Sequence, residues 1–171
     1  DFSERLAKGV LYLEDTTGTL SHKEARKANF APFGGNTLQM GYTQSAVWLK
    51  FAIKNDLPVN ADSSLDEHFY LSVRYPLLDQ IDFYQYRGSH TEKLSTGDTI
   101  PFHDRPLNIN NFVFPMSISS GETVEVLMRV QSTSSLSIPL FLETEAAFAD
   151  SKHTFDMANG IYLGIALGLL V

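Results

Sequence analysis

Seven side chains carry most of the chemistry this sequence could offer a ligand: Trp48, Lys50, Tyr70, Arg74, Tyr84, Tyr86 and Arg129. Each lies on the outward phase of a segment whose alternate residues are apolar. Aromatic faces beside cationic donors can stack an apolar ring face while gripping a hydroxyl or carboxylate. The set therefore predicts a groove for a small polar ligand or glycan. The competing reading is that the loop from Asn29 to Gln44, or the N-terminal segment, folds over this face and makes Trp48 a core residue.

Other chemistry is sparse. The loop "NADSSLDEHF" offers Asp62, Asp66 and Glu67, oxygen donors of the kind calcium takes, though their spacing departs from the EF-hand loop and a solvated turn accounts for them equally. His22, His68, His90, His103 and His153 are scattered among ordinary surface residues, and cysteine is absent. No HExxH, GxSxG or phosphate-loop pattern occurs, so no catalytic residue can be named and this domain is not expected to be an enzyme. No cofactor is implied beyond the calcium candidate.

The elements that must position these residues are strands. In "VWLKFAIKN", Val47, Leu49, Phe51 and Ile53 share one face while Trp48, Lys50 and Lys54 share the other. "FYLSVRY", "QIDFYQY", "NFVFPMSI", "TVEVLMRV" and "LSIPLFLE" repeat the period of two, with turn-rich stretches such as "RGSHTEKLSTGD" and "SSGE" between them. Six half-buried strands without long helical periods predict an all-β fold, an antiparallel β-sandwich or jelly roll. Ser21 followed by Glu24 has capping-box spacing and predicts a short helix reaching Ala28, whereas Asn29 to Gln44 reads as loop.

The 171 residues suit one domain. Thirteen Lys and Arg against 20 Asp and Glu give a charge of −7 with no basic cluster, which argues against nucleic acid as a partner. The opening "DFSERLAKGV" shows neither the basic nor the apolar region of a signal peptide. "GIYLGIALGLLV", Gly160 to Val171, is a charge-free apolar run. A buried core segment and the beginning of a membrane helix both explain it, since Met157 to Val171 would extend about 22 Å as a helix and fall short of a full span.

Taken in order, "GVLYLEDTTGTLSHKEA", "GYTQSAVWLKFAIKN", "LDQIDFYQ", Gly97 with "PFHDRPL", "FPMSISSGETVEVLMRVQSTSSLSIPLFL" and "NGIYLGIALGLLV" resemble the extracellular domain 2 of bacterial seven-transmembrane receptors with diverse intracellular signalling modules. The resemblance implies a sensory domain with a jelly roll like that of carbohydrate-binding modules, occupying residues 1–156. It implies that 157–171 begin the first transmembrane helix. The domain would then be the periplasmic part of a bacterial inner-membrane protein, partnered by its own transmembrane region and controlling a diguanylate cyclase, phosphodiesterase or histidine kinase.

Lys50 stands where the family commonly has Arg, keeping the charge and losing the bidentate fork. Arg105 and Arg129 match the family's recurring arginines, in ligand-binding or structural roles. An exposed apolar tail would seek cover on its own domain or in a homodimer. Besides the receptor sensor, two further readings fit the residues: a stand-alone carbohydrate-binding module, and a structural dimerisation domain with no small ligand.

Overall fold

The computed structural model describes residues 2–56, 67–154 and 157. In chain order the strands are β1 (Ser3–Leu6), β2 (Leu11–Asp15), β3 (Ala31–Pro32), β4 (Leu38–Gly41), β5 (Ala46–Lys54), β6 (Glu67–Val73), β7 (Gln80–Arg87), β8 (His90–Thr96), β9 (Phe112–Ile118), β10 (Thr123–Gln131), β11 (Leu136–Ile138) and β12 (Leu140–Thr144). One helix, α1 (His22–Lys27), falls between β2 and β3. Residues 145–154 are also helical.

The strands form a six-stranded sheet in the order β3-β2-β5-β10-β7-β8, a four-stranded sheet in the order β1-β12-β6-β9, and a β11-β4 pair. Every pairing is antiparallel. At the centre of the larger sheet the inward residues of β5 and β10 face one another, Val47 with Val130, Leu49 with Met128, Phe51 with Val126 and Ile53 with Val124. These pack with Phe69, Leu71, Phe112 and Phe114 of the smaller sheet in one core. Phe83 of β7 stacks on Phe114 of β9 with ring centroids 4.6 Å apart, joining the layers. Burying each such side chain contributes roughly 1.5–3 kcal/mol, which is why strict alternation specifies the register.

Several features depart from the sequence expectations: β1 and β2 are additional strands, and "LSIPLFLE" breaks at Pro139 into β11 and β12, which join different sheets. β3 and β4 form inside the stretch that reads as loop. β8 forms inside a turn-rich stretch; it is an edge strand whose residues from His90 to Lys93 are exposed, so no apolar alternation announces it. The C-terminal membrane helix is corrected: among the described residues no helix is long and apolar enough to cross a membrane. The helical residues 145–154 include Glu145, Asp150 and Lys152 and lie mostly exposed. Gly160 to Val171 lie outside the described residues, as do the calcium candidates Asp62 and Asp66; Glu67 opens β6. Among the described residues no three His, Cys, Asp or Glu side chains gather as a metal ion would need.

Candidate functional site

Helix α1 covers the aromatic face that the alternation of β5, β7 and β10 presents outward. Trp48, Tyr84, Tyr86, Leu127 and Ala25 form a second buried cluster, with Leu13, Leu20 and Phe30 packed against it. Trp48 is only 1% exposed. Its indole Nε1 has no hydrogen-bond partner among the described residues.

The cover is pinned at both ends. Before α1, the Asp15 carboxylate accepts from the backbone of Gly18 and Leu20 and from the Thr17 hydroxyl at 2.8–3.0 Å. Burial pushes the Asp15 pKa up, but these hydrogen bonds outweigh it and hold the group below its ordinary value. The predicted capping box forms, Ser21 accepting from Glu24 N while the Glu24 carboxylate accepts from Ser21 N. At the other end Arg26 forks onto Glu125 at 2.7 and 3.2 Å and lies over the Tyr86 ring. Hydrogen bonding to Arg26 lowers the Glu125 pKa.

The remaining outward residues of this sheet serve the same closure. Lys50 Nζ donates to Arg26 O at 3.0 Å and lies 3.6 Å from Glu125. Arg129 Nη2 donates to Gly18 O and Gln131 Oε1. His22 stacks on Tyr84 and shares a 2.8 Å hydrogen bond with the Tyr86 hydroxyl. Burial raises the pKa of both tyrosines.

Thus Trp48, Lys50, Tyr84, Tyr86 and Arg129 do come together, beneath the chain's own helix. Tyr70 lies on β6 of the other sheet, and Arg74 directly follows that strand. Arg105 lies apart from both groups, its Nε donating to Ile100 O and its guanidinium 5.4 Å from the Phe102 and Phe112 ring centroids.

Among the open cavities elsewhere on the described residues, two are lined by groups suited to a ligand. One, of about 690 Å³, has Tyr42, Gln44, Asp79, Thr99, Gln131 and Thr133 among its lining residues. Asp79 organises its wall. One carboxylate oxygen accepts from Ser132 Oγ at 3.0 Å, and the other accepts from Thr133 N and Oγ1 at 2.9 and 2.8 Å. The Thr133 backbone bond is the largest influence lowering the Asp79 pKa. Thr99 Oγ1 donates to the Asp79 carbonyl at 2.7 Å. Because these hydroxyl hydrogens are committed, Thr99 and Thr133 have lone pairs left for other donors. Tyr42, 83% exposed, supplies an aromatic face beside them.

The second cavity, about 880 Å³, is a groove between the outer face of the four-stranded sheet and helical residues 145–154; Arg74, Glu143, Phe148 and Asn111 are among its lining residues. Glu143 is 1% exposed and accepts from Ser3, Ser72, Arg74 and Ser151 at 2.7–3.3 Å. Tyr70 stacks on Phe148 with centroids 4.3 Å apart. These contacts fasten the helical segment to the sheet.

Tyr42, Gln131, Asp79 and Glu143 are absent from the ligand-binding residues expected from the sequence, although Gln131 and Glu143 share the outward phase of their strands. Glu143 does fall on the outward phase of β12, so an acidic residue in a strand phase shared with Phe141 was the available signal. Tyr42 sits in a loop, where no periodicity points to it.

A family model described as 7TMR-DISM extracellular 2 matches residues 7–144. No curated protein matches the chain.

Proposed function

The chain belongs to the 7TMR-DISM extracellular 2 family, a sensing module of membrane receptors linked to a signalling output, and from that premise we propose that it binds a small polar or glycan-type ligand in the pocket beside Tyr42. The domain itself is a non-catalytic extracytoplasmic sensor. The proposed setting is the periplasm of a bacterial inner-membrane receptor whose output is a diguanylate cyclase, phosphodiesterase or histidine kinase.

The observation that carries the ligand assignment is the pairing of the exposed Tyr42 ring with hydroxyls whose hydrogens Asp79 and its carbonyl already hold. A sugar supplies the complement, with O–H donors around its edge and an apolar C–H face for the ring. Among the described residues no Lys or Arg lines the pocket, which disfavours an anionic ligand.

Calorimetric titration with neutral mono- and disaccharides tests this. Saturable heat that weakens tenfold or more in Tyr42→Ala, with the melting temperature unchanged, supports the assignment; flat titrations across the panel remove it. A second reading, a domain that works through protein contacts alone, is favoured by the burial of Trp48 under polypeptide. It predicts those flat titrations.

A further inference from the structure

The outer face of the four-stranded sheet carries more cation than its own carboxylate uses. Arg74 gives one nitrogen, Nη2, to Glu143 Oε1 at 2.7 Å. Its Nε and Nη1 have no hydrogen-bond partner among the described residues. The guanidinium is held over the Phe141 ring, 4.0 Å from its centroid, with the side chain 34% exposed on the groove wall.

Glu143 lines the groove too, yet it is the less accessible end of its pair, 1% exposed against 34% for the Arg74 side chain. It is buried, and three hydroxyls besides Arg74 already occupy its oxygens. The ion pair therefore stands with its negative end in the sheet and its positive end at the groove. Asp150 and Lys152, both on the groove wall, have opposite signs and leave Arg74 to set the preference.

From this we infer that the groove is a second ligand site, for a small molecule bearing a carboxylate. The carboxylate takes the remaining N–H groups of Arg74, in two-point geometry where Nη1 and the second hydrogen of Nη2 form an edge. Amides of Asn108, Asn110 and Asn111 line the groove and supply donors for the rest of the molecule. Phe148 and Ser151 come from the helical segment, so the occupant touches that segment and the sheet together. This site is independent of the Tyr42 pocket in both residues and ligand charge.

The test is an NMR titration of the chain with succinate and with its neutral analogue succinamide, observing the Arg74 Nε–H and the side-chain amides of Asn108, Asn110 and Asn111. Succinate is expected to shift these signals saturably, at least tenfold more tightly than succinamide. Arg74→Lys keeps a cation for Glu143 but loses the planar fork, and is expected to weaken succinate binding tenfold or more. Equal affinity for the two compounds, unchanged affinity in Arg74→Lys, or shifts absent from these groups would each overturn the site. If Arg74→Lys does not fold, the comparison of the two compounds on the unaltered chain decides alone. Sugar binding at Tyr42 is read from different signals, so either site can fail without the other.

Discussion

His22 lies flat on Tyr84, with ring centroids 4.8 Å apart and planes 10° from parallel. Its Nδ1 also meets the Tyr86 hydroxyl at 2.8 Å. One imidazole thus seals α1 onto two aromatic residues of β7, and the helix closes the face above Trp48.

This contact makes the closure sensitive to acid. The His22 pKa lies below its ordinary 6.5, chiefly through burial and then through the charges of Lys23 and Lys93. A histidine with a depressed folded-state pKa contributes stability that is fully present above about 6.5 and is lost as pH falls toward the folded value. The melting temperature of the unaltered chain should therefore fall more between pH 7.5 and 5.5 than that of His22→Gln. Parallel pH profiles would contradict this. Carboxylates such as Asp15 and Glu125 respond in both proteins, so the difference isolates His22.

Trp48→Ala should cost about 3–5 kcal/mol of stability, because it empties a buried site in the cluster with Ala25 of α1 and Leu127 of β10. Chemical denaturation measures it. A loss below about 1 kcal/mol would mean that the indole does not support the cluster as described.

Much of the fold was legible because burial leaves a period. β5, β6, β7, β9 and β10 appear in the sequence as alternations, and Ser21 with Glu24 announces α1. The sequence leaves the covering of Trp48 open for a physical reason. Of the six residues His22–Lys27, only Ala25 is apolar and buried, while His22 and Arg26 cover the sheet by stacking on tyrosines. A polar side chain that covers through its ring or guanidinium face carries no hydropathy signal. The same limit hid the Tyr42 pocket, whose wall is assembled from loops and strand ends through Asp79.

Gly97 marks one such assembly point. Its φ is +153°, and a Cβ added there would collide with the backbone carbonyl of Asp79. Gly97→Ala should destabilise the chain by more than about 1 kcal/mol and weaken any binding at Tyr42, since Thr99 reaches the same carbonyl. A neutral effect in thermal melts and titrations would refute the close approach.

Removing the two partners of the Arg74–Glu143 pair should have unequal effects. Arg74→Met leaves a buried carboxylate with hydroxyl donors only, at a cost approaching the ~3 kcal/mol typical of breaking a buried pair. Glu143→Gln leaves a guanidinium that water already reaches and should cost less. Urea denaturation of both variants checks the order; the reverse order would show that Glu143 matters chiefly through Ser3, Ser72 and Ser151.

The most direct measurement of the central claim is backbone and side-chain amide mapping of the chain titrated with glucose, galactose and N-acetylglucosamine. The account predicts saturable shifts that cluster on Gly41–Gln44, Thr99 and Gln131–Thr133 and disappear in Tyr42→Ala. Shifts that cluster elsewhere, or a spectrum that no sugar moves, would contradict it.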